Sequence, residues 1–247
     1  MHSVSWIFCT APAVKREARI VITTVIFDLD DTLYDEIDYC KSGFAAVAEF
    51  LAELTGTPSA GQIFTALWSE FTAGNHTRTF NAALEELEMR YDDKLVRELV
   101  DVYRNHVPKI TLPEDSREVL GELRTKYTLA LLTDGFLPAQ QLKVRALGIG
   151  DCFKSIVYTE QLGREFWKPS PAGFERIMQS LGEQPQNMVY VADNEEKDFI
   201  APNKLGFLTI QLIRPAGVHK SISRQSGAAA RLVAHQIRQL PAILEQI

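Results

Sequence analysis

Five short runs of apolar residues stand out along this 247-residue chain. Each run is rich in β-branched residues, and its apolar positions are nearly unbroken instead of alternating with polar ones. This pattern is typical of strands that are buried on both faces. The predicted strands are Ile20–Phe27, Thr128–Thr133, Lys154–Thr159, Asn187–Ala192 and Phe207–Ile213.

Helical patterns separate most of these strands. The stretch Ser116–Lys126 begins at a candidate N-cap serine and carries apolar residues on one face. The stretches Gln140–Leu147 and Pro171–Leu181 each end at a glycine, which commonly terminates a helix. Strands that alternate with helices of this length predict a doubly wound α/β fold, in which helices cover a parallel sheet.

One interval breaks this alternation. Between residues 35 and 112 no strand pattern occurs, and four helical patterns are punctuated by Gly56, Pro58, Gly74 and Asn75 and followed by Pro108 and Pro113. These are Glu36–Leu54, Ser59–Thr72, Thr79–Met89 and Asp92–His106. The sequence therefore predicts that an all-helical module, residues 35–112, is inserted into an α/β core made of residues 20–34 and 113–247.

The two ends of the chain differ from the rest. Residues 1–19 contain a short apolar stretch that precedes its basic residues, whereas a secretory signal carries its positive charge first. We therefore interpret residues 1–19 as an N-terminal extension. At the other end, we predict a final helix over Ala228–Ile247, interrupted at Pro241.

The composition bounds the class of protein. With 46% hydrophobic and 23% charged residues, the chain has the balance of a globular protein and not of a disordered one. Its net charge of −6 gives no broad basic field to attract nucleic acid or anionic lipid. No apolar run approaches the roughly 20 residues of a membrane span. We expect a small-molecule substrate and neither a nucleic acid nor a membrane as partner.

The number and spacing of the cysteines indicate the cellular compartment. Cys9, Cys40 and Cys152 are odd in number, and their spacing matches no zinc or redox motif. Such a set is typical of reduced thiols in a reducing compartment. We therefore predict a cytoplasmic protein.

The residues suited to catalysis follow the ends of the predicted strands. In doubly wound folds, ligands bind outside the carboxyl ends of the strands. The residues at these ends are Asp28, Asp30 and Asp31 after the first strand, Thr133, Asp134 and Gly135 after the second, Lys168 beyond the third, and Asp193 and Asp198 after the fourth.

The charges at these strand ends predict a metal site. Carboxylates crowded in a crevice repel each other by about 4 kcal/mol per pair at 4 Å for an effective dielectric of 20. Oxygen ligands without nearby histidine or cysteine suit a hard ion such as Mg²⁺. Together with Lys168, such an ion would neutralise the charge on a phosphoryl group, as phosphoryl transfer requires.

Asp28 and Asp30 are spaced for two complementary roles. If a tight turn follows the strand, both side chains can face one phosphoryl group. One can attack phosphorus while the other protonates the leaving oxygen. The acid must begin protonated, and we expect crowding to raise its pKa. Thr133 and the backbone N–H groups near Asp134 and Gly135 can bind phosphoryl oxygens.

Four segments, in order, resemble the signature motifs of the haloacid dehalogenase-like (HAD) hydrolase superfamily. They are FDLDDTLY at residues 27–34, LLTDG at 131–135, KPSP at 168–171 and VADNEEKD at 191–198. The first is similar to the family's DxDxT signature, and the helical module resembles the C1-type cap of subfamily I. The resemblance covers residues 20–213. It implies a magnesium-dependent phosphatase and a core with strand order 5-4-1-2-3.

The resemblance also implies roles for individual residues. Asp28 would be the nucleophile, which forms an aspartyl-phosphate, and Asp30 the general acid and base. Thr133 would bind the phosphoryl group, and Lys168 would stabilise both the nucleophile and the transferred group.

The same resemblance implies a ligand set for Mg²⁺. The ligands would be the Asp28 carboxylate, the backbone carbonyl of Asp30 and Asp193, with Asp198 as a further ligand or in the outer shell. Asp31 and the Asp134 side chain are expected to be structural. The chain departs from the family at Ala192, where glycine is usual, and in the length of the loop before Lys168.

The residues alone do not exclude other functions. A phosphomutase would pass the phosphoryl group to another hydroxyl, and a signalling receiver would hold it on Asp28. A dehalogenase is disfavoured because its chemistry needs no acid at position 30, and the intact motif set disfavours a non-catalytic binding protein. For a phosphatase, a sugar phosphate, a nucleotide or a small phospho-acid would each fit.

The helical module offers candidates for substrate selection. Phe64, Trp68 and Phe71 are at helical spacing and predict a hydrophobic core for the module. His76 and His106 are expected at the surface. The candidates for substrate contact are Tyr34, Asp38, Tyr39, Lys41, Ser42, Arg78 and Arg164.

Overall fold

A single parallel sheet organises the α/β core. The computed structural model describes residues 21–218 and 225–247, and within them six strands form a sheet of order β3-β2-β1-β4-β5-β6. The strands are β1 Thr24–Phe27, β2 Thr128–Thr133, β3 Ser155–Tyr158, β4 Met188–Ala192, β5 Leu208–Leu212 and β6 Leu232–Ala234. The predicted doubly wound α/β fold is confirmed, and its first five strands take the expected order.

The unbroken apolar strands are buried on both faces of the sheet. In β1, Val25 and Phe27 belong to one buried cluster, whereas Ile26 belongs to the cluster on the opposite face. Helices cover both clusters. The helices over the first cluster contribute Leu120, Val144 and Leu244, and those over the second contribute Phe174 and Ala201.

The helical module is a set of four helices with its own core. They are α1 Glu36–Thr55, α2 Ala60–Thr72, α3 Thr79–Glu86 and α4 Asp93–Asn105. Each helix contributes to one buried cluster, for example through Phe44, Leu67, Leu84 and Leu99. Phe71 is buried in this cluster, and Phe64 and Trp68 pack against it, as their spacing predicts.

The helices of the core follow the sequence pattern closely but not at every end. They are α5 Glu114–Leu123, α6 Ala139–Leu147, α7 Ala172–Leu181, α8 Ile200–Leu205 and α9 Leu240–Glu245. The predicted N-cap at Ser116 is wrong, because α5 begins two residues earlier, after Pro113. Ser116 lies inside the helix, and its buried hydroxyl has no hydrogen-bond partner among the described residues.

The predicted C-terminal helix over Ala228–Ile247 is also wrong. Leu232–Ala234 forms β6, which pairs in parallel with β5, and only Leu240–Glu245 is α-helical. Pro241 lies in the first turn of α9, where its missing N–H costs no helical hydrogen bond. Proline therefore helps to start this helix instead of interrupting a longer one.

The remaining findings concern the N-terminus, the cysteines and membrane-spanning helices. The N-terminal extension, residues 1–19, lies outside the described residues, as does Cys9. Cys40 and Cys152 are free thiols. None of the helices in the described part of the chain combines the length and the apolar character needed to cross a bilayer.

Candidate active site

The predicted catalytic residues meet at the carboxyl ends of β1, β2 and β4. These strands are neighbours because β1 pairs with both β2 and β4. Asp28 follows β1 directly, and its backbone N–H donates to the carbonyl of Val191 on β4 at 2.9 Å. The parallel pairing thus brings together side chains that are more than a hundred positions apart in the sequence.

Asp28 is buried and contacts Lys168. Lys168 Nζ donates to Asp28 Oδ1 at 2.6 Å and lies 2.7 Å from Asp198 Oδ1. It also donates to the hydroxyl of Tyr190 at 3.0 Å. Burial raises the pKa of Asp28 to about 6, although the Lys168 cation acts in the opposite direction.

Lys168 stays charged inside the protein. Burial by itself would lower the pKa of its ammonium, but Asp198 and Asp28 outweigh burial and hold that pKa well above its ordinary value. The side chain is 1% exposed. A cation fixed in this way can stabilise negative charge that is transferred onto the oxygens beside Asp28.

Three carboxylates form a compact cluster beside this cation. One oxygen each from Asp28, Asp193 and Asp198 can be chosen so that all three lie within 4.8 Å of one another. Burial, followed by the charges of Asp198 and Asp28, raises the pKa of Asp193 to about 9. Asp193 Oδ2 is buried and has no hydrogen-bond partner within the described residues.

These observations fit a hard divalent cation. An orphaned, buried carboxylate oxygen is costly, and a cation at the cluster would satisfy it and relieve the repulsion that raises the pKa of Asp193. The donor set consists of oxygens, which Mg²⁺ prefers. Asp198 also accepts from the backbone N–H of Asn194 at 3.0 Å, which closes the 193–198 loop around the cluster.

Asp30 lies on the other side of β1's end, in a different environment. Lys143 Nζ donates to both of its carboxylate oxygens, at 2.8 and 2.9 Å. Gln140 Nε2 donates at 2.8 Å and the Tyr34 hydroxyl at 2.5 Å. The side chain of Asp30 remains 18% exposed, so it is accessible from the adjoining cavity.

The expectation that crowding raises the pKa of Asp30 is wrong for this structure. Burial does act to raise it, but the Lys143 cation and the hydrogen bonds from Gln140, Lys143 and Tyr34 outweigh burial. The pKa of Asp30 is therefore lower than its ordinary value. Asp28 and Asp30, only two positions apart, have pKa values that are shifted in opposite directions.

The segment after β2 contributes backbone and side-chain donors. Thr133 is buried, and its hydroxyl accepts from Gln140 Nε2 at 2.8 Å. Gly135 has a φ of +135°, and a Cβ there would come within 2.8 Å of the Gln140 amide nitrogen. Only glycine therefore lets Gln140 cross this turn and reach Asp30.

Asp31 and Asp134 accept hydrogen bonds that connect the loops around the site, although Asp134 also lines the adjoining cavity. Asp134 accepts from the Thr159 hydroxyl at 2.7 Å and from the backbone N–H of Lys168 at 3.1 Å. Asp31, with a φ of +52°, accepts from the backbone N–H groups of Glu36 at 2.8 Å and Val218 at 2.6 Å.

A cavity of about 410 Å³ separates the core from the helical module. Its core wall includes Asp30, Gly135 and Lys143, and its other wall comes from all four helices of the helical module and the loop before α3. Asp28 does not line it and lies deeper than Asp30. A substrate in the cavity would thus present its phosphoryl group toward the strand ends and its remainder toward the helical module.

The structure separates the candidates for substrate contact. Tyr39 lines the cavity, and Tyr34 reaches the site through its bond to Asp30. The others contact neighbours outside it: Arg78 pairs with Glu85, Lys41 with Asp38, Ser42 with His106, and Arg164 with Glu160. His76 is exposed as expected, but His106 is half-buried.

Two polar residues of the site, Gln140 and Lys143, do not follow a strand and so were not identified from the ends of the predicted strands. They lie on α6, and both are buried. The other buried residues of α6 are apolar: Ala139, Val144 and Leu147. Polar side chains on the buried face of a helix require partners, and this pattern in the sequence is the signal that could have identified them.

Comparison with known proteins agrees with this geometry. Residues 22–206 match the family model of the haloacid dehalogenase-like hydrolases. The chain belongs to this family.

Two relatives with phosphatase names align along most of the chain. Glyceraldehyde 3-phosphate phosphatase of Methanopyrus kandleri is 30% identical over 200 residues, covering 78% of this chain and 85% of that protein. N-acylneuraminate-9-phosphatase of Rattus norvegicus is 26% identical over 241 residues, covering 92% and 95%. This member of the HAD family is accordingly a phosphatase.

A solved structure supports the fold assignment across the chain. 2-Haloacid dehalogenase from Pseudomonas syringae pv. Tomato DC3000 aligns with a TM-score of 0.61 and 25% identity, covering 92% of this HAD hydrolase and 99% of that chain. Phosphatases of the HAD family generally use Mg²⁺, and the carboxylate cluster of this chain is suited to it.

Proposed function

We propose that this HAD phosphatase hydrolyses a small sugar phosphate through a phosphorylated Asp28. The proposal rests on one observation, which is that the carboxylates of Asp28 and Asp30 lie in different environments. Asp28 is buried against Lys168 beside the carboxylate cluster, whereas Asp30 faces the cavity. The names of the two relatives, which act on glyceraldehyde 3-phosphate and N-acylneuraminate 9-phosphate, support sugar phosphates as the substrate class.

In the first step, a carboxylate oxygen of Asp28 forms a bond to phosphorus while the ester oxygen–phosphorus bond breaks. The leaving oxygen takes a proton from Asp30 and departs as an alcohol. Lys143 favours the ionised form of Asp30 in the structure. The negative charge of an arriving phosphoryl group acts in the opposite direction and raises the pKa of Asp30 toward its acidic role.

In the second step, a water molecule attacks phosphorus. Asp30 accepts its proton, and the bond between phosphorus and Asp28 breaks to give inorganic phosphate and the original carboxylate. Lys143, Gln140 and Tyr34 stabilise the ionised Asp30 that is ready to take this proton. Thr133 and the backbone around Gly135 would bind the phosphoryl oxygens.

Asp28, the backbone carbonyl of Asp30, and Asp193 would hold Mg²⁺, with Asp198 beside them. When bound, the ion would supply positive charge that offsets the charge of the phosphoryl oxygens. Residues 35–112 would act as a cap of the C1 type. Their wall of the cavity would bind the part of the substrate that is remote from phosphorus and exclude water.

A panel of phosphorylated metabolites tests the proposal. Inorganic phosphate release would be measured for sugar phosphates, nucleoside monophosphates and small phospho-acids, with Asp28→Asn as the inactive control. We expect the highest kcat/KM for a sugar phosphate. Failure to release phosphate from any of these compounds, or a clear preference for nucleotides, would contradict the proposal.

A further inference from the structure

Arg104 lines the wall of the cavity and forms no ion pair with any residue that the structure describes. It lies in the last turn of α4, on the helical module, and lines the cavity together with Thr77, Asn81 and Val100. Within the described part of the chain, no carboxylate forms an ion pair with it. Its Cζ instead lies 3.4 Å from the ring centroid of Phe136, which follows Gly135 on the core side.

The neighbouring arginine, Arg164, differs from Arg104 because it forms an ion pair. Arg164 Cζ lies 4.3 Å from the same Phe136 centroid, so the two guanidinium groups are near neighbours. Arg164 pairs with Glu160 at 3.4 Å and does not line the cavity. Burial and then the charge of Arg164 lower the pKa of Arg104, and the opposite effects of Asp101 and Glu160 do not offset them. An anion beside Arg104 would therefore relieve an existing electrostatic cost.

The acids of the cavity are already engaged by other groups. Asp30 binds Lys143, and Glu36 lies 3.9 Å from the same ammonium. Asp134 accepts from Thr159 and from the backbone of Lys168. Asp30 and Asp134 belong to the core, and Glu36, the first residue of α1, lies beside the same Lys143 ammonium, where the phosphoryl group would be transferred. Arg104 therefore presents its charge on the opposite wall, where the remainder of a substrate would lie.

We propose that Arg104 binds a second anionic group of the substrate, a carboxylate or a second phosphate, so that the preferred substrates are phosphomonoesters with an anionic tail. The proposal rests on the proposed phosphatase function and deepens it. A planar guanidinium suits either anion, because its donors match two oxygens at once. Phe136 holds that plane in place by stacking.

Binding at Arg104 would act far from phosphorus. Interactions remote from the reacting atoms raise discrimination between substrates more than they help a minimal substrate. A hydrogen-bonded contact between charged groups typically changes affinity by about 10- to 100-fold. The proposal therefore predicts a ratio between two matched substrates, and not only a loss of overall activity.

The test uses two matched pairs of substrates. Glycerol 3-phosphate and 3-phosphoglycerate differ in a carboxylate, and ribose 5-phosphate and ribose 1,5-bisphosphate differ in a second phosphate. We expect the wild-type enzyme to prefer the anionic member of at least one pair by tenfold or more in kcat/KM. The pair that shows the preference identifies the type of anion.

Arg104→Gln should reduce this preference about tenfold, chiefly through KM, and Arg104→Lys should restore part of it. Arg97→Gln is the matched control, because Arg97 is an exposed arginine of the same helix and lies outside the cavity. It should keep the wild-type ratio while changing the net charge equally.

The outcomes separate this inference from the proposed function. A wild-type enzyme without preference in either pair would overturn the role of Arg104, as would an Arg104→Gln variant that loses activity equally on both members. In either case phosphate release itself would leave the phosphatase function standing. If no substrate released phosphate, the proposed function would fail first.

Discussion

Lys143 Nζ donates to Oδ1 of Asp30 at 2.8 Å and to Oδ2 at 2.9 Å, so one buried ammonium contacts both oxygens of the proposed acid and base. Gln140, one turn earlier on α6, donates to the same carboxylate. The orientation and the proton affinity of Asp30 thus depend on a helix that carries none of the four motifs. Lys143 is a positioning residue, and its contribution can be measured through Asp30.

Replacing Lys143 by methionine should change the pH dependence of catalysis. The Lys143 cation lowers the pKa of Asp30, so its removal raises that pKa. Asp30 acts as an acid only while protonated, and the basic limb of the kcat/KM profile should therefore move to higher pH. Misplacement of the carboxylate should also lower kcat, by about 100-fold. Lys143→Arg should keep the limb near its wild-type position, and a limb that stays fixed in Lys143→Met would disprove this role.

Asp30→Asn should slow turnover in a way that depends on the leaving group. Loss of a general acid typically costs about 10²–10⁴-fold. Alkyl phosphates need protonation of the leaving oxygen and should suffer more than p-nitrophenyl phosphate. The neighbouring variant Asp31→Asn provides the control, because Asp31 accepts from backbone N–H groups of Glu36 and Val218. Equal slowing of both substrate classes by Asp30→Asn would show that Asp30 is not the acid.

Chelation of divalent metal should abolish turnover. The cluster of Asp28, Asp193 and Asp198 has no soft ligand, so Mg²⁺ should restore activity after EDTA treatment, whereas Ca²⁺ should inhibit because its larger, more variable coordination misplaces the nucleophile. Asp193→Asn should raise the Mg²⁺ concentration needed for half-maximal rate. Full activity in excess EDTA would rule out the metal requirement.

The helical module should lose stability in acid partly through His106. Its ring lies between the carbonyl of Tyr103, 2.7 Å from Nδ1, and the hydroxyl of Ser42, 3.0 Å from Nε2, and burial lowers its pKa below the ordinary 6.5. The unfolded chain then binds more protons than the folded chain. The contribution of neutral His106 is present above pH 6.5 and is lost as pH falls through the folded pKa.

Denaturant unfolding at pH 7 and at pH 5 measures this effect. The free energy of unfolding should fall more in the wild-type protein than in His106→Asn. The variant His76→Asn serves as the control, because His76 is exposed on the same module. If wild type and His106→Asn lost the same free energy between these pH values, His106 would not contribute.

The strands were predictable because burial on both faces leaves a direct trace in the sequence. Four of the five predicted strands agree with the structure to within one residue at each end, and β1 is shorter than predicted. The strand β6 was missed because three residues are too few to show a pattern, and its formation depends on pairing with β5. Sequence patterns indicate local burial, but they do not indicate pairing with a strand that is distant in the chain.

The same limit applies within the site. The motif residues Asp28, Lys168, Asp193 and Asp198 were identifiable from strand ends and from the resemblance. Lys143 acts on a carboxylate 113 positions away, and only the tertiary structure gives their distance. The pKa of Asp30 was mispredicted for that reason, since crowding by acids was visible in the sequence and the neutralising lysine was not.

The phosphorylated enzyme gives the most direct test of the account. Enzyme quenched in acid during turnover of a sugar phosphate would be digested, and the phosphorylated peptide would be located by mass spectrometry. We predict a phosphoryl group on Asp28 that forms and decays at least as fast as turnover and yields free phosphate, and none in Asp28→Asn. Decay much slower than turnover, or transfer to a hydroxyl of the substrate, would indicate a receiver or a mutase. Turnover without any phosphorylated Asp28 would contradict the mechanism.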